Sequence, residues 1–247
     1  GEIVNIYRET AKCPSCSTAS AMKCNIQFVK ANVPEALIPY SYTSASVVAW
    51  VMYQKYANSM PLYRQEKDWK QMGVILSRAT LANWIIYCAR NYFSPLYDYF
   101  HRELLKRQFL MADETRVQVL KEPKRDAETD SYMWLFRTGE DGLPPIILYK
   151  YEETRAKFHA EEFLKGFKGY LETDGYQGYN NLPDIKRCCC WAHLRRYFIE
   201  AVPKGKEMDY SNPAAQAVQY CNRLFEYERQ SQIKGHTFQQ RKEYRLE

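Results

Sequence analysis

Apolar residues recur at helical spacing in two early stretches of the chain. Val47, Val48, Val51 and Met52 fall at i, i+1, i+4 and i+5, and Leu81, Trp84, Ile85 and Cys88 at i, i+3, i+4 and i+7. Each set lines one face of a helix. Thr43 or Ser44 is positioned to cap the first helix and Ser77 the second, because a short side-chain oxygen satisfies amides that a helix start leaves open. Pro61 ends the first region, and Leu62–Met72 followed by Gly73 leads into the second. Two short helices joined by a glycine-containing turn, over about residues 62–90, make a helix-turn-helix candidate. In it Arg78, Ala79 and Asn83 face outward near the start of the second helix, where base or phosphate contacts are made. The same spacing also describes an ordinary helical hairpin.

From residue 109 the pattern changes to strands. Phe109–Leu120 is β-rich and free of glycine and proline, Ser131–Thr138 is rich in aromatics, and Ile146–Tyr151 follows the turn signal Gly139-Glu140-Asp141-Gly142. The short links predict an antiparallel meander. A helix over about 156–167, a strand at Tyr170–Thr173 and a strand at Ile185–Cys190 come next. A helix then starts at Trp191, and the last clear one runs over Pro213–Ile233 with proline in its first turn. This order is that of an α/β, ribonuclease-H-like mixed sheet flanked by helices. The predicted organisation is a mixed segment at 1–30, a helical region at 31–105 that begins with an extended linker over 34–42, and an α/β domain at 106–247.

Composition narrows the class. Of 247 residues, 46% are hydrophobic and 26% charged, which excludes a wholly disordered chain. The longest apolar run, Val47–Tyr53, is far shorter than the ~20 residues that cross a bilayer. No basic-then-apolar leader opens the chain. Lys and Arg number 35 against 29 Asp and Glu, a net charge of +6 that admits a polyanionic partner without demanding one. The 21 Tyr, 11 Phe and 5 Trp can build a core and can also stack on bases. A start at Gly1 and an end within a charged helical pattern read as a fragment, truncated at both ends.

The eight cysteines include the adjacent Cys188, Cys189 and Cys190 and the pair Cys13-Pro14-Ser15-Cys16. Neighbouring cysteines bridge one another with difficulty, so reduced thiols in a cytoplasmic protein are expected. Cys13 and Cys16 are half of a zinc knuckle, and Cys24 offers a third ligand with no fourth nearby. A structural site needs four, so zinc is not expected in this chain.

Three carboxylates stand slightly out of place. Side chains alternate along a strand, which puts Asp113 with Phe109, Met111, Val117 and Val119, the face expected to pack. Glu114 goes to the other face beside Arg116, where it is expected to be solvated. Asp174 ends a short strand before Gly175, a position equally natural for a turn. Glu228 continues the stripe of Ala217, Cys221 and Leu224, whereas Glu226 falls on the polar side. Carboxylate oxygens suit Mg²⁺, which keeps waters and substrate phosphates, and two such ions can drive phosphodiester chemistry. No glycine-rich phosphate loop and no G-x-S-x-G motif is present, so nucleotide hydrolysis and serine acyl transfer gain no support.

Several stretches together resemble the DDE transposases of the insertion sequence 66 family. They are Pro61-Leu62-Tyr63-Arg64-Gln65-Glu66, Leu76 to Trp84, Ala112-Asp113-Glu114-Thr115, Leu171 to Tyr179, Cys190 to Phe198 and Leu224-Phe225-Glu226-Tyr227-Glu228. The resemblance runs from about 34 to 230, and it is most specific in the two Asp blocks and in Trp191-Ala192-His193-Leu194-Arg195-Arg196. It implies a ribonuclease-H-like catalytic domain with Asp113, Asp174 and Glu228 as catalytic and metal ligands for Mg²⁺ or Mn²⁺. It implies cleavage of transposon DNA ends and transfer of the freed 3′-OH into target DNA, in a bacterial, DNA-associated homo-oligomer acting on double-stranded DNA. It strengthens the helix-turn-helix reading with Arg78 and Asn83. It makes Cys13 and Cys16 the remnant of a zinc module. Phosphate contacts are expected from Arg195 and Arg196, with His193 orienting phosphate or capping the helix, and more weakly from Arg155 and Lys157. The alternative is an inactive truncated transposase or regulator that only binds DNA.

Overall fold

The computed structural model describes residues 5–12, 28–32, 35–203 and 210–246. The expectations for Cys13, Cys16 and Cys24 therefore lie outside the described residues. The chain divides into two compact units, 1–95 and 96–247.

In the first unit, β1 (Thr10–Lys12) and β2 (Phe28–Lys30) form an antiparallel pair. Three helices follow: α1 (Ala45–Tyr56), α2 (Leu62–Gln71) and α3 (Arg78–Cys88). Ser44 caps α1 by accepting from the Val47 amide, and Ser77 caps α3 by accepting from that of Thr80. Both predicted stripes are buried: Val48 and Val51 pack with Ile38, Leu81, Trp84, Ile85 and Cys88, and Val47 and Met52 lean on them. Gln65, fully buried, donates from Nε2 to the carbonyls of Val51 (3.2 Å) and Met60 (3.1 Å), tying α2 to the middle of α1 and to the segment after it. Gly73 turns the chain between α2 and α3 at φ +81°, a left-handed conformation that glycine adopts without steric cost. A π-helical stretch, Ala89–Phe93, follows α3.

The second unit is a five-stranded mixed sheet with helices. Its elements are α4 (Ser94–Leu105), β3 (Phe109–Gln118), β4 (Asp130–Thr138), β5 (Ile147–Glu152), α5 (Lys157–Phe163), β6 (Gly169–Thr173), β7 (Ile185–Cys189), α6 (Trp191–Ala201), α7 (Pro213–Ile233) and α8 (Phe238–Tyr244). The strand order is β5-β4-β3-β6-β7. β3, β4 and β5 pair antiparallel, as short links require, while β6 and β7 run parallel to β3. α5 carries the chain from one edge of the meander to the other side of β3.

The core lies on one sheet face. Leu110 and Ala112 of β3, Trp134 and Phe136 of β4, Leu148 of β5 and Leu171 of β6 pack against Leu104 of α4 and against Ala160, Phe163, Leu164 and Phe167. Phe136 stacks on Phe163 with ring centroids 3.8 Å apart. This corrects the expected facing of β3: the buried positions are Leu110 and Ala112, not the set containing Asp113. Both sets are apolar near Phe109, so alternation alone could not choose. What decides is which face α4 and α5 cover. At the edge of the sheet, Tyr97 of α4 donates its hydroxyl to the Tyr149 carbonyl of β5 (3.1 Å). α7 starts at Pro213 under an Asn212 cap, and buries Ala215, Val218 and Cys221 along one stripe.

Candidate active site

β3 and β6 run side by side in the same direction, with Leu110 opposite Leu171 and Met111 opposite Glu172. Carried two residues further, that register sets Asp113, in the middle of β3, next to Asp174, which follows the last residue of β6. Ligand sites in sheets with parallel strands form at carboxyl ends such as that of β6. β7 extends the row: Thr173 pairs with Cys189, and the Cys190 amide donates to the Thr173 carbonyl (2.8 Å).

On the face opposite the core, Asp113, Leu135, Arg137, Glu172, Cys190 and His193 line a cleft of about 160 Å³. The Asp113 side chain is half exposed, with Oδ1 accepting the Glu114 amide (3.0 Å) and Oδ2 3.7 Å from His193 Nε2. His193 sits in the first turn of α6, and its Nδ1 is buried without a hydrogen-bond partner. Burial pushes the Cys190 thiol above its ordinary range, and the Glu172 carboxylate beside it adds to the rise. At neutral pH it is a thiol, so the ionised donors here are carboxylate oxygens.

Glu114 departs most from expectation. Its side chain is fully buried rather than solvated beside Arg116. Arg155 donates to it from Nε (2.6 Å) and pairs with it again through Nη2, and the Tyr179 hydroxyl donates to its other oxygen. Burial holds the Glu114 carboxyl above the usual carboxylate range against the pull of those donors. Burial likewise raises the Tyr179 phenol, with the Glu114 charge adding to it. Arg155 Nη2 also reaches Asp174 Oδ2 (3.4 Å). Asp174 Oδ1 accepts from the Tyr176 amide (2.9 Å), and its backbone carbonyl accepts from Arg187. The bond from the Tyr176 amide bears out the turn reading of Asp174. Sequence reasoning missed Glu114; its signal was position, one residue from Asp113 on the face that turned out to be the core side.

Glu228 lies elsewhere in the hydrogen-bonding pattern. Arg245 Nε donates to its Oε1 (2.5 Å), Arg241 Nε stands 4.0 Å from Oε2, and the Arg245 bond holds its carboxyl below the usual range. Glu226 pairs with Arg229 (2.6 Å). Among the described residues, no three His, Cys, Asp or Glu side chains group closely enough to hold a metal ion. Asp113 and Asp174 nevertheless suit Mg²⁺ or Mn²⁺: Mg²⁺ is usually held by one or two carboxylates, with waters and phosphate oxygens completing the shell. Of the other named residues, Arg195 donates to Asn222 Oδ1 (2.7 Å), bracing α6 on α7, and Arg196 is exposed. Lys157 pairs with Glu161 (3.0 Å). Arg78 and Asn83 are exposed on α3 in the other unit, with Arg78 and Lys67 over the Tyr63 ring at 5.8 and 4.5 Å.

The family model of the transposase IS66 family matches residues 40–247. The chain belongs to the IS66 transposase family. Three curated relatives come from Sinorhizobium fredii (strain NBRC 101917 / NGR234). "Uncharacterized protein y4qI" is 31% identical over 186 residues, covering 70% of this chain and 34% of the relative. "Uncharacterized protein y4jD" is 27% identical over 235 residues, 90% of this chain and 44% of the relative. "Uncharacterized protein y4hP" is 26% identical over 248 residues, 93% of this chain and 43% of the relative. The chain thus spans between a third and a half of the length of these IS66-family relatives. Among the described residues no helix is long and apolar enough to cross a membrane.

Proposed function

We propose that residues 96–247 carry the catalytic core of a DDE transposase, with Asp113 and Asp174 as ligands for Mg²⁺ or Mn²⁺. The observation that carries the reading is the parallel register of β3 and β6, which, continued two residues beyond Met111 and Glu172, brings Asp113 of β3 beside Asp174 just past the end of β6. Family membership supports it, as does the strand order, an antiparallel three-strand meander extended by two parallel strands, which fits the expected ribonuclease-H-like sheet. The reaction is metal-dependent cleavage at a transposon end, freeing a 3′-OH, followed by attack of that 3′-OH on a target phosphodiester. Both steps are in-line displacements at phosphorus.

When bound, the divalent cations activate the attacking oxygen and stabilise the leaving one. The chain's own residues supply the rest. Asp113 and Asp174 provide oxygen donors of fixed direction. His193, against Asp113, is placed to orient the scissile phosphate, and the exposed Arg196 can contact the DNA backbone, a contact that positions rather than specifies. Glu228, which Arg245 and Arg241 engage, would join the acidic set only by leaving those partners and moving toward Asp113 and Asp174. In the first unit, α2, the turn at Gly73 and α3 act as a helix-turn-helix, with Arg78 and Asn83 on the DNA-facing side. The partners are double-stranded DNA and further copies of the chain, in the bacterial cytoplasm. The engagement of Glu228 by two arginines favours one alternative, a chain that binds DNA without cutting it.

Mg²⁺- or Mn²⁺-dependent nicking of DNA carrying the element's ends separates the two. Cleavage by the wild type that is lost in Asp113→Asn and in Asp174→Asn supports the enzyme. Nicking untouched by both substitutions removes these residues from the site, and binding with no nicking leaves the DNA-binding alternative. Joining of the cut end to target DNA distinguishes a transposase from a plain nuclease.

A further inference from the structure

We propose that Arg155 is the positioning residue for Asp174: anchored on the buried Glu114 and stacked on Tyr176, its guanidinium orients the Asp174 carboxylate to receive a divalent cation beside Asp113. The inference rests on the reading of Asp113 and Asp174 as cation ligands.

Arg155 stands between β5 and α5, in neither element, yet it is constrained from several sides. Nε and Nη2 both engage Glu114, whose side chain has no solvent exposure. The guanidinium carbon lies 3.8 Å from the centroid of the Tyr176 ring, and the hydroxyl of that tyrosine donates to the Arg155 carbonyl. With side chain and backbone both held, Nη2 is directed at Asp174 Oδ2. Tyr176 fixes the other oxygen through its amide, so the two carboxylate oxygens of Asp174 are held from different directions. Arg187 anchors the Asp174 carbonyl and the Thr173 hydroxyl beneath it.

A planar fork is needed for this geometry. Arginine can bridge two carboxylates in fixed directions, whereas lysine offers a point charge on a flexible stem. Stability alone is a weak reason to bury Glu114 at one end of such a pair, since apolar replacements of similar volume often do as well. Holding a neighbouring ligand in direction is what an apolar replacement could not do. Partners of this kind around metal ligands commonly govern metal affinity by about 10–100-fold.

The test measures Mn²⁺ binding by the full chain, from the electron paramagnetic resonance signal of free Mn²⁺, with no DNA and no turnover. Circular dichroism and a thermal melt first establish that each variant is folded at the titration temperature. Arg155→Met and Glu114→Gln are expected to weaken Mn²⁺ binding about 10-fold or more, with Arg155→Lys recovering only part of the loss. A merely structural role lowers the melting temperature but leaves the affinity of the folded protein unchanged, and that result overturns the proposal. Tighter binding in Arg155→Met also overturns it, because Arg155 would then only repel the cation. Should Arg155→Met fail to fold, the double variant Glu114→Gln/Arg155→Gln, which removes both charges of the pair, is read by the same two outcomes. Asp113→Asn separates the two levels of inference. If the wild type binds no Mn²⁺, or Asp113→Asn binds it as well as the wild type, the site reading falls and this proposal with it. If Asp113→Asn weakens binding and the Arg155 and Glu114 variants do not, this proposal alone falls.

Discussion

Tyr179→Phe removes one oxygen atom from the middle of the second unit and leaves the ring. The ring keeps its edge contacts with Trp134 (centroids 5.8 Å apart) and Tyr176 (6.1 Å). What is lost is the hydroxyl that donates to the buried Glu114 carboxylate. A hydrogen bond to a charged group contributes roughly 1.5–3 kcal/mol, and a neutral one about 0.5–1.5 kcal/mol. With a melting shift of about 2–4 °C per kcal/mol for a unit of this size, the variant should melt about 3–12 °C lower at neutral pH. The loss should depend on pH in a defined sense. Burial raises the folded-state pKa of Glu114 above its unfolded value, so the carboxyl takes up its proton in the folded protein first as pH falls. Below that point the missing bond is a neutral one. The deficit of Tyr179→Phe is therefore largest above the folded pKa and shrinks on acidification through the carboxylate range. Tyr176→Phe is the control: its hydroxyl donates to a backbone carbonyl, so its cost is smaller and flat with pH. Urea unfolding of the second unit at neutral and acidic pH measures both. A Tyr179→Phe variant as stable as the wild type at neutral pH, or a deficit that grows on acidification, refutes the account of the Glu114 pocket.

Gly169→Ala is expected to cost at least about 2 kcal/mol, in the range of other steric faults in a core, because its Cβ would lie 2.4 Å from the Gln108 carbonyl oxygen where β3 meets β6; unfolding in urea reads this, and a neutral result would put the pairing in error. Ser77→Ala removes the α3 cap and should cost about 1 kcal/mol, seen as a lower melting temperature of the first unit. The Glu228 carboxyl is lowered by its bond to Arg245, so it stabilises the fold above its unfolded pKa and loses that contribution as pH falls through the folded one; Glu228→Gln should lower the melting point at pH 7 and converge on the wild type in acid. Arg78→Ala should weaken DNA binding and reduce its salt dependence by about one counterion, whereas unchanged binding in a filter or fluorescence assay would return α2 and α3 to a plain hairpin.

Helices and strands of this chain were legible because their signals are local. The stripe Leu81, Trp84, Ile85, Cys88 lies buried as its spacing predicts, Ser44 and Ser77 cap as short hydroxyls do, and Pro213 opens the long helix. The facing of β3 was not legible, because Phe109 and Met111 compete with Leu110 and Ala112 until α4 and α5 choose one side. Glu114 was misread for the same reason, since a charged residue reads as solvated until distant partners are known. Arg155 and Tyr179 lie 41 and 65 residues away from it. The adjacency of Asp113 and Asp174 needed the register of a parallel pair, which no local pattern encodes, and the Arg245 bond of Glu228 spans two helices.

The parallel pairing of β3 with β6 has a consequence for synthesis of the protein. β6 can dock only after β4, β5 and the α5 crossover have emerged and folded back, and contacts between distant segments form late because loop closure must come first. A growing chain that has exposed Asp113 alone holds half of the proposed cation site. The two halves of the proposed cation site therefore come together in one step, when β6 closes the sheet against β3.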